Sequence, residues 1–193
     1  MATTERYITP SKITAWLDCA HYLTLKHQVE DGIRAAAPTG TSSFAQLLMD
    51  KGLQQEAQCL ADLKAQGLRV HEVPDRERGE SFTAWAARVG DPFAIDCDVL
   101  FQVPLLHDGI RGIADFLLRV ELADGTTVWE PLDAKLARTH AKPGHVLQLC
   151  FYADAIAART GTAPSRMHLW LGSGRREELL VADFTPYWRR LRS

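Results

Sequence analysis

The stretch IDCDVLFQVPLLHDGIRGIADFLLRVELADGTTVWEPLDAKL, residues 95–136, decides the fold. Its apolar residues alternate with polar ones, which is typical of β-strands and not of helices. Two turn signals, His107-Asp108-Gly109 and Ala123-Asp124-Gly125, divide the stretch into three strands. The pattern therefore predicts an antiparallel meander at the centre of the chain.

The segments on either side of the meander have the apolar spacing of helices or of short strands. Thr9 and Pro10 fit the N-cap and first position of the first helix. The further predicted elements, in chain order, are a loop at 35–43, a long helix from Phe44 to Gly67, a strand at 68–73, a helix at 82–89, a helix at 145–158, and strands at 167–171 and 178–184 around the turn Gly172-Ser173-Gly174. An aromatic and basic tail, 187–190, follows. We predict an α/β fold with a mixed central sheet flanked by helices.

Composition limits the class of protein. The 193 residues are 46% hydrophobic, enough for a sizeable core, and the sequence predicts a single domain, 1–193, with a helical part at 1–67 and the sheet at 68–193. The 22 basic and 24 acidic residues exclude a histone-like protein that binds nucleic acid through bulk charge. Neither an apolar leader nor an apolar run of about 18 residues is present, so we expect a soluble, cytoplasmic protein that does not bind membranes.

Carboxylates in the meander indicate a candidate functional site. In the strand 112–122, alternation predicts a core face with Ala114, Phe116 and Leu118 and puts Asp115 on the opposite face. In the next strand, Asp133 and Lys135 are two residues apart and share a face. If the turn at 123–125 pairs these strands, the two carboxylates come within reach of one ion.

Two adjacent carboxylates repel each other unless a cation lies between them, and hard divalent cations prefer oxygen ligands. The pattern thus indicates Mg²⁺ or Mn²⁺, with Lys135 beside it to stabilise the charge of a phosphodiester transition state. A structural interpretation is also open. Asp133 and Lys135 could form a solvated face of the sheet, while Asp115 pairs with Arg111 or Arg119.

Three blocks occur in the order of a known family. They are Gly-x-x-Asp at 112–115, Asp-x-Lys at 133–135 and Gln-x-x-x-Tyr at 148–152. Together they resemble the RecB-like branch of the PD-(D/E)xK nuclease superfamily, and most closely the modules at the N-terminus of helicase-containing proteins. The opening Ser11 to Cys19 is also similar, and the resemblance covers 8–188. It implies a restriction-endonuclease-like core.

The resemblance implies a role for each matching residue. Asp115 and Asp133 would be metal ligands, with the carbonyl of Ala134 as a further one, and Lys135 the catalytic lysine. Glu56, in the Gly-x-x-x-Glu of the preceding helix, would be the third acidic ligand; a surface position for Glu56 is the alternative. The residues expected to line the catalytic site are Glu56, Asp115, Asp133, Lys135, Gln148 and Tyr152.

The segment between the Asp-x-Lys strand and the next helix is basic. Arg138, His140 and Lys142 lie in it, and 134–153 holds no acidic residue. We predict that these three residues, with Tyr152, contact DNA phosphates, although a merely solvated loop has the same composition. No iron–sulfur cluster is expected, since no cysteine follows Cys150 to complete one with Cys19.

The sequence thus predicts a Mg²⁺-dependent deoxyribonuclease in DNA repair, recombination or defence. The resemblance implies single strands or free ends as substrates and a helicase domain or subunit as a partner. One alternative is a nuclease-like module that guides DNA without cleaving it, and another is an α/β scaffold for protein partners.

Overall fold

A computed structural model describes residues 7–36 and 42–192 of the chain. The helices are α1 (Pro10–Asp18), α2 (Tyr22–Glu30), α3 (Ser43–Ala65), α4 (Phe82–Val89), α5 (Pro143–Thr160) and α6 (Val181–Arg192), with a 3₁₀ turn at Pro92–Ala94. The strands are β1 (Val70–Glu72), β2 (Val99–His107), β3 (Ile110–Glu121), β4 (Thr127–Lys135), β5 (Arg166–Leu171) and β6 (Arg176–Leu180). Within these described residues, none of the helices has both the length and the apolar character needed to cross a membrane.

The six strands form one mixed sheet in the order β1-β2-β3-β4-β5-β6. The central strands β2, β3 and β4 pair antiparallel, which confirms the predicted meander, while β1 joins β2 and β5 joins β4 in parallel. Asp108 and Gly109 connect β2 to β3 with φ of 47° and 71°. Positive φ at both positions matches the twist of the flanking strands, as in a type I′ turn.

Helices cover both faces of the sheet, so two apolar clusters hold the fold together. On one face, α5 contributes Leu149, Phe151 and Ile156, all inaccessible to solvent, to the larger cluster. On the other face, Cys59 and Leu63 of α3 pack on the strands in a smaller cluster. The α/β architecture predicted from the sequence, with helices flanking a mixed sheet, is therefore confirmed.

Two helices differ from the sequence prediction. Helix α2 occupies part of the region where no element was predicted, and the predicted loop at 35–43 falls largely outside the described residues. The predicted strand 178–184 is wrong beyond Leu180, where α6 begins and takes in the aromatic tail. Tertiary contact decides this, because the buried Trp188 indole donates a hydrogen bond to Asp154 of α5 at 2.6 Å.

The predicted alternation of β3 is also wrong at one point. Ala114 belongs to the cluster on the α5 face, whereas Phe116 belongs to the cluster on the α3 face. A regular strand would put both on one face. The alternation therefore inverts at Asp115, and no single face of β3 is the core face, since both faces are covered.

The four cysteines are free thiols. Cys59, Cys97 and Cys150 are buried, whereas Cys19 is exposed at the end of α1. The exposed position shows that Cys19 is not a core residue.

Helices α1 and α5 approach each other closely at Gly144. A Cβ atom there would lie 2.4 Å from Thr14 Oγ1 and 2.6 Å from Thr14 Cγ2, whereas a Cβ at Gly52 in α3 would meet nothing. We therefore expect Gly144→Ala to lower the free energy of unfolding by about 1–3 kcal/mol. The matched Gly52→Ala should raise it by about 0.5–1 kcal/mol, because alanine favours helix.

Urea denaturation measures both changes. Thr14→Ala removes the two closest atoms, so in the Gly144→Ala background it should restore most of the lost stability. Equal stability of the Gly144→Ala and Gly52→Ala proteins would contradict the close approach of the two helices.

Candidate active site

The candidate site forms where β3 and β4 separate. Their regular pairing extends only to Phe116 and Leu132. Beyond this pair, the Ala134 backbone amide donates a 2.9 Å hydrogen bond to Oδ2 of the Asp115 side chain. A side-chain carboxylate thus replaces a backbone carbonyl as the acceptor, which satisfies the amide and brings Asp115 next to Asp133.

Asp133 is completely buried, on the α5 face of β4. The Gln148 amide donates to its Oδ1 at 3.3 Å, and the Lys135 ammonium lies 2.6 Å from its Oδ2. This short contact is a charge-assisted ion pair, and among the described residues Oδ2 has no donor besides the Lys135 ammonium. Burial, together with the negative charge of Asp115, raises the pKa of Asp133 well above its ordinary value.

Lys135 carries the positive charge of the site. Its side chain is 21% exposed, and its ammonium faces the buried Asp133. Burial lowers the pKa of Lys135, but the three surrounding carboxylates raise it by more, so the net shift is upward. The ammonium is therefore charged throughout the physiological range.

Glu56 reaches the site from α3, on the other side of the sheet. It stands three and seven residues before Cys59 and Leu63 and so shares their inward face. Its Oε2 accepts a 2.8 Å hydrogen bond from the amide of Gln102. Burial, and then the charge of Asp115, raise the pKa of Glu56 from 4.5 to about 7, while Lys135 and Gln102 act in the opposite direction.

Gln148 and Tyr152 lie one turn apart on α5 and form a chain of hydrogen bonds. Gln148 donates at 2.7 Å to the Tyr152 hydroxyl, which donates to the backbone carbonyl of Ile113 in β3. Tyr152 is 2% exposed, and burial raises the pKa of its phenol well above the ordinary value. The phenol therefore stays protonated and orients Gln148 toward Asp133. Contact of Tyr152 with DNA stays a prediction.

The basic segment leads from the site to α5. Arg138 and His140 are exposed in the connection after β4, and Lys142 is the N-cap residue of α5. The Lys142 amide donates to Nδ1 of His145 at 3.2 Å. Burial, and then the charges of Lys135 and Lys142, lower the pKa of His145 to about 4, so its imidazole is neutral.

Two clefts open beside these residues. The larger, about 710 Å³, runs from Gln102, Gln148 and Tyr152 past Gly112 to Arg111. The smaller, about 390 Å³, is lined by Lys135, Lys142, His145 and Gln148, among others. Ser11 and Gln148 line both, so the two clefts adjoin at the candidate site.

The structure brings together most of the residues predicted from the sequence. Asp115, Asp133, Lys135, Gln148 and Tyr152 share contacts, and Glu56 lies within electrostatic reach. Among the described residues, however, no three acidic, histidine or cysteine side chains are grouped as a ready-made ion site. Convergence of Glu56 on the aspartate pair, and ligation by the Ala134 carbonyl, stay predictions.

Sequence reasoning missed Gln102. It is the one polar side chain in the otherwise apolar run VLFQVPLL, and that isolation is the signal that could have singled it out.

No model of a protein family matches this sequence, and a search of curated proteins finds no relative.

The raised pKa of Glu56 has a consequence for stability in the absence of metal. Between pH 4.5 and about 7 the folded protein retains a proton that the unfolded chain has released, so Glu56 makes the fold less stable as the pH rises through this window. We expect Glu56→Gln to match the wild type at pH 4.5. At pH 8 it should be more stable by about 1 kcal/mol, allowing for partial exposure.

Urea denaturation in EDTA across this pH range measures the difference. His145 titrates in both proteins and cancels in the comparison. A stability difference that does not change with pH would show that the Glu56 carboxyl titrates normally.

Proposed function

We propose that the protein is a divalent-metal-dependent nuclease that hydrolyses phosphodiester bonds in DNA on a restriction-endonuclease-like core. The observation that carries the proposal is the Asp133 carboxylate, completely buried beside Asp115, with one oxygen whose sole donor among the described residues is the Lys135 ammonium. Burying two adjacent carboxylates is unfavourable unless positive charge compensates them. The ordered motifs and their resemblance to RecB-like nucleases support the same assignment.

The donor set fits Mg²⁺ or Mn²⁺. Asp115 and Asp133 would hold the ion, with Glu56 and the Ala134 carbonyl as the further ligands that the resemblance implies, and all of these offer oxygen atoms. The buried Asp133 Oδ2, whose sole donor among the described residues is the Lys135 ammonium, retains a lone pair suited to a cation. When bound, the ion lowers the pKa of water and neutralises charge on the phosphate.

The chain's own residues would position the substrate and stabilise charge. Lys135 keeps its proton and stays beside Asp133, where its ammonium can offset the negative charge that develops on the phosphodiester in the transition state. Gln148 fixes the Asp133 carboxylate, and its own orientation is fixed by Tyr152. The neutral His145 adds a polar group to the cleft without a charge that would repel Lys135.

The two adjoining clefts would hold the DNA strand. Lys142 lines the smaller cleft, with the exposed Arg138 and His140 in the same segment. Arg111 lines the larger cleft, its guanidinium 5.2 Å from the centre of the Phe82 ring. Cationic side chains along a cleft suit a phosphate backbone. Single strands or free ends as substrates, and a helicase partner, are supported by the resemblance alone.

Lys135→Ala tests the nuclease directly. It should reduce cleavage in Mg²⁺ by on the order of 10² or more, since a group that stabilises transition-state charge contributes roughly 2.7–4 kcal/mol to the rate. DNA affinity in Ca²⁺ should change little. Gel shifts report binding, and the release of labelled ends or nicks reports cleavage.

Lys64→Ala is the matched control, because Lys64 carries the same charge on the exposed surface of α3, paired with Glu72. It should cleave at the wild-type rate. A wild-type protein that binds DNA but cleaves neither DNA nor RNA with Mg²⁺ or Mn²⁺ would favour the guiding module instead.

Metal removal tests the ion separately. The large apolar cluster does not depend on an ion, so we expect the protein to stay folded in EDTA and its melting temperature to rise on adding Mn²⁺. Asp115→Asn retains an acceptor for the Ala134 amide but removes the charge, and should abolish the rise. Asp50→Asn, on the exposed surface of α3, should retain it. Unfolding in EDTA would mean that the metal is structural.

A further inference from the structure

Gln102 has an unusual backbone for its position. Its φ is +58°, in the middle of β2, and among the described residues only Asp108 is another non-glycine residue with positive φ. Left-handed backbone is unfavourable for residues with a Cβ, and such residues persist where the surrounding structure compensates the strain. Asp108 lies in a hairpin turn that requires this conformation. Gln102 lies in a strand that continues on both sides.

The conformation of Gln102 changes the face to which β2 directs its side chains. Before it, Phe101 belongs to the cluster on the α3 face; after it, Val103 belongs to the cluster on the α5 face. Leu100 packs on the α5 face, so regular alternation would also direct Gln102 there. The positive φ instead brings its amide to Glu56, on α3.

The position of the Asp115 side chain depends on the same point in the sheet. The β2–β3 pairing runs through Phe101 with Phe116 and resumes at Val103 with Ala114, leaving Gln102 opposite Asp115 without a regular pair. Both strands invert at this position. One irregularity in the sheet therefore places two neighbouring side chains at the site, the buried Asp115 carboxylate and the half-buried Gln102 amide.

We propose that Gln102 is a positioning residue, held in a strained backbone conformation so that its amide directs the Glu56 carboxylate toward the cation site of Asp115 and Asp133. The proposal rests on the metal site proposed above and adds a residue that the motif resemblance does not include. A 2.8 Å hydrogen bond to Glu56 Oε2 leaves the other carboxylate oxygen available for an ion. Removing such a support typically lowers metal affinity 10–100-fold.

A double-mutant cycle on Mn²⁺ affinity, measured by calorimetry, tests the role of Gln102. Gln102→Gly should weaken Mn²⁺ binding about tenfold or more, as should Glu56→Gln. If Gln102 acts through Glu56, the double variant should bind Mn²⁺ no more weakly than Glu56→Gln alone. A general structural defect would instead weaken binding in both backgrounds.

Urea denaturation in EDTA tests the strain. Gln102→Gly and Gln102→Ala both remove the amide, but only glycine is free of the Cβ penalty at positive φ. We expect Gln102→Gly to have the higher urea midpoint. Asp108 provides the matched control: Asp108→Gly should likewise have a higher midpoint than Asp108→Ala, while its Mn²⁺ affinity stays that of the wild type.

The outcomes distinguish this proposal from the proposed function. Additive losses of Mn²⁺ affinity in the cycle, or a higher urea midpoint for Gln102→Ala than for Gln102→Gly, would overturn the role of Gln102 and leave the nuclease intact. A wild-type protein that does not bind Mn²⁺ would overturn both. A non-additive cycle with the expected order of midpoints supports the proposal.

Discussion

The burial of the Asp133 carboxylate is the constraint on which the rest of the site depends. Removing a carboxylate from water costs several kcal/mol unless charge and hydrogen bonds compensate it. Lys135 supplies the charge and Gln148 a hydrogen bond, yet among the described residues the Lys135 ammonium is the sole donor to Oδ2, an oxygen that can accept two hydrogen bonds. A core without function would be more stable with an apolar residue in this place. The incomplete compensation is what the proposed cation would relieve.

The sheet is irregular where the candidate site lies, and this irregularity positions the groups around Asp133. Beyond Phe116 and Leu132, β3 and β4 no longer pair regularly, and the Asp115 side chain accepts the Ala134 amide that would otherwise be unpaired. The inversion at Gln102 and Asp115 falls in the same row of the sheet. Regular strands would alternate their side chains strictly between two covered faces. At this interruption Gln148 of α5 contacts Asp133, and Glu56 of α3 lies within electrostatic reach of Asp115.

The hydrogen bonds around the aspartates form two separate supports. On the α5 face, Tyr152 orients Gln148, which orients Asp133, and the Tyr152 hydroxyl is anchored on the β3 backbone. On the α3 face, Gln102 orients Glu56. Two members of the α5 support, Tyr152 and Asp133, are buried and Gln148 is half-buried, whereas both members of the α3 support are only half-buried. We therefore expect the Glu56 side to adjust more readily when an ion or substrate arrives.

The sequence by itself determined the meander, because apolar alternation around two Asp-Gly turns is typical of paired antiparallel strands. It also determined the pairing of Asp133 with Lys135, because residues two apart on a strand share a face. It also indicated Gln148 with Tyr152, since residues four apart on a helix adjoin. These are local relations. The tertiary structure alone decided that α6 replaces a strand, since Trp188 packs on α5, and that β2 and β3 invert at Gln102 and Asp115. A prediction from periodicity assumes an unbroken strand. It cannot detect a positive φ that is stabilised only by contacts across the sheet.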